Sequence, residues 1–288
     1  MSEQFVADSL ISVDAPLTEV TVTRWRHGEL SHTQDKVAEE VPIALVYNGI
    51  SHAVMLATPL DLADFALGFS LSEGILRDKS DLYGIDIVKQ PQGIELRLEV
   101  ATECFVQLKE RRRNLVGRTG CGLCGAESLE HALRLPSINN TNHAARPSNN
   151  HGSVKLLFAT YIQAAFNDIQ TKQTLQQATG ATHACAWVNL QGQVEMIRED
   201  VGRHNAMDKL IGALAKMPQQ RDGFVLTSSR ASVEMVQKVA VAGISVLVAI
   251  SAPTGLAIRV AEAYGVTLIG FLRDNQFVIY TNKHRIQF

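Results

Sequence analysis

Between Gly223 and Tyr264 the chain twice repeats one pattern: a short apolar run, a polar knot, and a segment with helical spacing. Gly223–Thr227 leads through Ser228-Ser229-Arg230-Ala231-Ser232 into a helix expected over Val233–Ala242. Ser245–Ser251 leads through Ala252-Pro253-Thr254 into one over Gly255–Tyr264. A strand without a polar side must be covered on both faces, and strands that alternate with helices build a sheet between helical layers. Around this core, Leu156–Gln177 reads as a helix closed by Gly180. His183–Leu190 and Val194–Glu199 form a hairpin at Gln191-Gly192, Asn205–Lys216 is helical, and Val266–Phe271 pairs with Phe277–Thr281. The order α-β-β-α-β-α-β-α-β predicts a three-layer α/β sandwich with a mostly parallel sheet over residues 154–288.

The first 116 residues read as a smaller α+β domain. Val41–Tyr47 and Ile50–Ala57 flank Asn48-Gly49, a strong hairpin signal. A helix is expected from Thr58-Pro59 to Glu73-Gly74, and a second hairpin joins Ile85–Lys89 to Ile94–Val100. Residues 117–153 hold a Cys-x-x-Cys loop, a short helix over Glu127–Arg134 and a polar linker from Pro136 to Ser153 too poor in apolar anchors to order itself. A formal net charge of -2 offers no global attraction to nucleic acid or an anionic membrane, so an anionic ligand needs a local site. No run is long enough to span a membrane, and a cytoplasmic protein with reduced thiols is expected.

This element order is that of the deaminase fold, whose zinc enzymes place His-x-Glu and Pro-Cys-x-x-Cys at two helix starts. Here those positions carry His204-Asn205-Ala206 and Ser228-Ser229-Arg230-Ala231-Ser232, so the carboxylate and both thiolates are missing. The expectation is a cytidine-deaminase-like scaffold without deaminase chemistry, a zinc deaminase being a remote third reading. What remains at Gly202-Arg203-His204-Asn205, Ser229-Arg230-Ala231-Ser232 and Pro253-Thr254-Gly255 is a set of helix N-termini suited to anions. Ordinary capping explains any one of them; three on one sheet edge favour a nucleotide-like ligand.

Gly117-Arg118-Thr119-Gly120-Cys121-Gly122-Leu123-Cys124-Gly125 sets two thiols among four glycines. Such a segment is expected to be mobile and accessible, and Arg118 with the following helix start favours thiolate over thiol. Three chemistries fit: a structural zinc site, a thioredoxin-type redox centre, or sulfur carriage as a persulfide. Lys109-Glu110-Arg111-Arg112-Arg113 just upstream is either solvated surface or a guide for an anion. Cys104 and Cys185 sit in apolar, strand-like settings and are expected to be buried. His183 is expected to be a core or capping histidine.

Three long segments carry a family resemblance: the Gly117–Gly125 run, Arg198-Glu199-Asp200-Val201-Gly202-Arg203-His204-Asn205-Ala206-Met207-Asp208-Lys209, and Thr227-Ser228-Ser229-Arg230-Ala231-Ser232. In that order they resemble the formate dehydrogenase accessory sulfurtransferases, the FdhD family, and the likeness runs from about Glu40 to Thr281. It implies a sulfurtransferase that takes sulfur from a cysteine desulfurase and passes it to the molybdenum cofactor, Mo-bis(molybdopterin guanine dinucleotide), before insertion into formate dehydrogenase. Cys121 matches the persulfide-carrying position, and Cys124 is its partner, as a second relay thiol or a group that resolves or protects Cys121. Phe271-Leu272-Arg273-Asp274-Asn275-Gln276 matches the cofactor-binding stretch, where Arg273 suits a phosphate. A homodimer is expected, since a two-fold pair could grip the cofactor's two guanine ends symmetrically, while ligand count, net charge and the lack of a spanning run lead one to expect no structural metal and neither nucleic acid nor membrane as partner. Asp274, and Cys185 where a small residue such as Ala is expected, depart from the pattern. The rival class is a cofactor-binding chaperone whose cysteines only sense redox state.

Overall fold

The computed structural model describes residues 13, 15–116, 156–218, 222–274 and 276–288, with the side chains of 111–116 left aside. It is a mixed α/β fold with seven α-helices among the described residues. The Cys-x-x-Cys segment, the short helix and the linker expected over 117–153 lie outside them.

Strands β1 (Leu17–Arg26) and β2 (Glu29–Ala38) form an antiparallel ribbon that the sequence reading missed. Almost all of its side chains are half or fully exposed, so no apolar alternation announces it. β3 (Val41–Tyr47) and β4 (Ile50–Ala57) form the predicted hairpin, with Asn48 and Gly49 at φ 44° and 82°, the left-handed pair that a tight two-residue turn requires. With β5 (Leu82–Gln90) and β6 (Gly93–Val100) they make a four-stranded sheet of order β4-β3-β6-β5. Helix α1 (Leu62–Ser72) covers it, burying Phe65 and Phe69 against Ile43, Leu45, Leu96 and Leu98. It begins four residues later than expected, because Thr58 is held elsewhere and Asp61 is left-handed at φ 54°. Helix α2 (Thr102–Val116) replaces the strand-like setting expected for Cys104: Cys104 and Leu108, four apart, are the buried pair, a helical period.

β7 (Leu157–Phe158) opens the second region, and the single helix expected over 156–177 is two, α3 (Ala159–Lys172) and α4 (Thr174–Thr179). The break follows from Glu199, whose carboxylate accepts from the Leu175 and Gln176 amides and so caps α4 from outside. Gly180, at φ 70°, ends it as predicted. β8 (His183–Asn189), β9 (Val194–Asp200), α5 (Arg203–Ala215), β10 (Gly223–Thr227), α6 (Val233–Val241), β11 (Val246–Ala249), α7 (Gly255–Ala263), β12 (Thr267–Arg273) and β13 (Gln276–Ile279) complete the domain, with β14 (Ile286–Gln287) pairing with β7. The main sheet has the order β13-β12-β11-β10-β8-β9. It is mixed rather than mostly parallel: only β10–β11 and β11–β12 pair in parallel, because a hairpin is attached at each end.

Alternate residues of each strand enter opposite cores. Cys185, Val225, Leu247 and Leu268 meet α5, α6 and α7, while Ala186, Leu226, Val248 and Ile269 meet α3. Burying each such Leu, Val or Ile stabilises by about 1.5–3 kcal/mol, which explains why these strands read as unbroken apolar runs. No helix among the described residues is long and apolar enough to cross a membrane.

Candidate functional site

The Arg198–Lys209 stretch runs from β9 into α5, and most of its polar side chains turn back toward the N-terminal region. Arg198 donates from Nε and Nη2 to Asp64 Oδ2 at 2.8 and 2.6 Å. Asp200, fully buried, accepts from the Thr58 amide at 3.0 Å, the Gly202 amide at 2.8 Å and Asn205 Nδ2 at 3.0 Å, and it pairs with the equally buried Lys209 at 2.7 Å. Asn205 also donates to the Leu56 carbonyl. Asp208 takes Lys238 Nζ at 2.9 and 3.1 Å and the Ser72 hydroxyl at 2.6 Å. Burial raises the Asp208 carboxyl and by itself would lower the Lys238 ammonium, but Asp208 and Glu73 beside it hold Lys238 above its ordinary value. At the centre of this contact Gly68 of α1 faces Gly212 of α5. A Cβ on Gly68 would strike the Asp208 carbonyl, and one on Gly212 the Asp64 carbonyl. Of the twelve-residue motif, only Arg203 and His204 are left facing the sheet edge; Asn205, expected there, is spent on the weld.

β9, β10, β11 and β12 point the same way, so the starts of α5, α6 and α7 share one edge, as the three motifs predict. The loops before α6 and α7 are stitched together: the Ala231 amide donates to Ala252 O and the Thr254 amide to Ala231 O, at 3.3 and 3.1 Å. Thr254 Oγ1 caps α7 by accepting from the Ala257 amide. The hydroxyls of the loop after β10 are used internally. Ser228 Oγ accepts from the Ala184 amide, and Ser229 Oγ lies 3.0 Å from Thr227 Oγ1. Among the described residues no group of three or more His, Cys, Asp or Glu is placed to hold a metal ion.

The last hairpin rises beside these loops. The Phe271 amide donates to Ser251 O at 3.2 Å, Phe271 is left-handed at φ 53°, and the β12–β13 register shifts between Gly270 and Arg273. A Cβ on Gly270 would meet Pro253 and the Tyr280 ring, so only glycine lets the strand lie this close. Phe271, Arg273, Asp274 and Gln276 are exposed at the turn, and the Arg273 carbonyl is pinned by Gln163 Nε2 at 2.8 Å. Leu272 is fully buried among the α3-side core residues, so its side chain anchors the turn and offers a ligand nothing; Asn275 lies outside the described residues. The structure therefore brings Phe271, Arg273, Asp274 and Gln276 to the same edge as Arg203 and Arg230.

Half-burial and the neighbouring Arg203 hold His183 below its ordinary pKa. Burial, then Arg203 and Lys238, hold His204 down as well, against the pull of Glu234, whose Oε2 lies 2.7 Å from Nε2. Burial pushes the Cys185 thiol up to about 12, and burial with Asp81 raises Cys104, so neither is a thiolate at neutral pH. Cys121 and Cys124 lie outside the described residues. A cavity of about 510 Å³ lined by Asp168, Lys172, Gln193 and Glu195 sits at the β8–β9 turn, the far end of the sheet. It has no part in this edge. Sequence reasoning missed the weld; the signal was there in Asp208-Lys209 interrupting an apolar helix.

The family model described as "FdhD/NarQ family" matches residues 38–287. The chain is 56% identical over 267 residues to the sulfur carrier protein FdhD of Cupriavidus necator, covering 92% of this chain and 88% of that protein. It is 50% identical over 255 residues to the sulfur carrier protein FdhD of Bordetella petrii, covering 88% and 87%. A crystal structure assigned as a formate dehydrogenase accessory protein from Desulfotalea psychrophila superposes with a TM-score of 0.69 at 21% identity, covering 94% of this chain and 99% of that one. At that identity the superposition shows the shared fold.

Proposed function

The chain belongs to the FdhD/NarQ family, and from that premise we propose that it is a sulfurtransferase serving formate dehydrogenase. The observation that carries the reading is the division of its four cysteines: Cys104 and Cys185 are buried with raised thiols, which leaves thiolate chemistry to Cys121 and Cys124. The Cys121 thiolate attacks the terminal sulfur of a cysteine desulfurase persulfide. A Cys121–sulfur bond forms, the donor's sulfur–sulfur bond breaks, and the desulfurase thiolate leaves. Cys124 then attacks the inner sulfur of the Cys121 persulfide, releasing the terminal sulfur as hydrosulfide to the acceptor and leaving a Cys121–Cys124 disulfide that a dithiol reductant resets. The acceptor is the molybdenum cofactor as substrate, Mo-bis(molybdopterin guanine dinucleotide). Its nucleotide arms lie on the sheet edge between Arg203 and the Phe271–Gln276 turn of a deaminase-like layered domain, and two copies of the chain grip its two guanine ends.

Incubation with a cysteine desulfurase and L-cysteine, followed by mass spectrometry, tests the first step. One added sulfur is expected on Cys121, lost in Cys121→Ser and retained in Cys185→Ala; an adduct indifferent to Cys121→Ser overturns the reading. The chaperone alternative instead expects Cys121→Ser to keep formate dehydrogenase active in a complemented deletion strain.

A further inference from the structure

We infer that the ribbon of β1 and β2 is a contact surface for a second copy of this chain, packed face to face with its counterpart across a two-fold axis. The inference rests on the reading above only in that two copies meet, and it names where. Residues opposite each other in an antiparallel pair share a face, so the register divides the ribbon into two faces. One face carries Thr18 with Val37, Val20 with Asp35 and Val22 with Thr33. Thr18, Val20, Val22 and Thr33 are half-buried and β2 rests on α4, so this face is the one turned to the body of the protein. The other face carries Leu17 with Ala38, Glu19 with Lys36, Thr21 with Gln34, Thr23 with His32 and Trp25 with Leu30. Beyond the Leu17 and Ala38 row all of these side chains are exposed, Trp25 by 70% and Leu30 by 72%.

Trp25 and Leu30 stand opposite each other, and adjacent exposed apolar side chains, unlike scattered single ones, mark a contact site. The order of the rows says what the partner is. From base to tip they run apolar, charged, hydrogen-bonding, hydrogen-bonding and apolar, with Thr21 and Gln34 in the middle row. A two-fold axis through that row turns the ribbon end for end. It lays the Trp25 and Leu30 row of each copy on the Leu17 and Ala38 row of the other, and sets Glu19 and Lys36 against Thr23 and His32. Apolar then meets apolar, each charged side chain meets a group that can hydrogen-bond with it, and the middle row meets itself. A foreign surface has no reason to match this order, whereas the ribbon matches it by construction. The polar rows are also held in place: Gln34 Nε2 donates to Thr21 Oγ1 at 3.0 Å, and Thr23 Oγ1 lies 3.1 Å from His32 Nδ1.

The bare face is about 31 Å long and about 10 Å across, so two copies cover about 600 Å² between them. A standard interface covers about 1,200 Å² or more, so this pair is expected to be weak and to come apart on dilution. Sedimentation of the full chain over a range of concentrations tests the proposal. A monomer–dimer equilibrium is expected, and Trp25→Ala should weaken it by about tenfold or more. The chain has two tryptophans and Trp187 is buried, so a blue shift of emission with rising concentration should report Trp25 entering the contact. Crosslinking locates the axis. With Cys121→Ser and Cys124→Ser as background, a short bismaleimide should join two copies of Gln34→Cys and should not join Asp35→Cys, which is exposed on the other face. Trp25, Gln34 and Asp35 are all exposed, so the urea midpoints of these variants should match that of the intact chain. A monomer at every concentration, a dimer indifferent to Trp25→Ala, or crosslinking at Asp35→Cys as efficient as at Gln34→Cys would each overturn the proposal. In the last two cases the pairing of two copies stands and only its location here fails. If Cys121 takes up no sulfur while the ribbon variants behave as described, the sulfurtransferase reading fails and this contact stands.

Discussion

Two groups of charges, only a few residues apart in sequence, are treated in opposite ways by this fold. Between α1 and α5 every ionised side chain is matched: Asp64 by Arg198 and Lys216, Asp200 by Lys209, Asp208 by Lys238. At the sheet edge Arg203, Arg230, Arg259 and Arg273 have no ion pair among the described residues. Charges buried inside a protein are tolerated only when paired, so the first group answers to stability. An array of unpaired cations repels itself and contributes nothing to folding, so the second answers to something outside the chain. One twelve-residue motif serves both, so a motif matched as a unit does not say which of its residues touch a ligand.

The sharpest way to break this contrast is Asp208→Ala, which takes from the buried Lys238 ammonium its buried counter-charge and leaves it only the half-exposed Glu73. It should cost about 3–5 kcal/mol in urea denaturation. A loss below about 1 kcal/mol would mean that the weld is not what the distances suggest. Gly212→Ala should follow at about 1–3 kcal/mol, because the methyl must push the Asp64 backbone away. Thr254→Ala removes a helix cap on the edge itself and should cost about 1 kcal/mol. Arg259→Gln should change stability by less than about 0.5 kcal/mol, since the group has no partner to lose; a larger drop would place Arg259 in the folding ledger. The finest effect is in pH. His183 and His204 titrate lower in the folded protein than in the unfolded chain, so the unfolded state binds more protons and stability declines as pH falls below about 6.5. Double replacement of both histidines by Gln should flatten that decline in denaturation curves taken between pH 7 and pH 5.

Much of the architecture was legible because burial writes a period into the chain. Val41–Tyr47, Gly223–Thr227 and the Asn48-Gly49 turn declared themselves through alternation, apolar runs and turn chemistry. The ribbon Leu17–Ala38 did not, since with little of it buried hydrophobicity cannot mark its faces. Helix α2 was missed for a different reason: Cys104, Val106 and Leu108 look alternating, and only the burial of Cys104 and Leu108 with Val106 exposed reveals the helical period. For the site, the shared edge of the helix starts followed from strand–helix alternation alone. That Asp208 and Lys209 interrupt an apolar helix hinted at burial, but the partners of Asp200, Asn205 and Lys209 could not be read, because Thr58 and Leu56 lie more than a hundred residues away. Leu272 shows the converse: a stretch matched as a unit contains a residue whose side chain faces the core.

The bare backbone crossing at Gly68 and Gly212, with its ring of satisfied charges, means that the two halves of the molecule are held together through their packed surfaces. An engineered protease site between residues 117 and 155 should therefore yield two fragments that still elute as one particle.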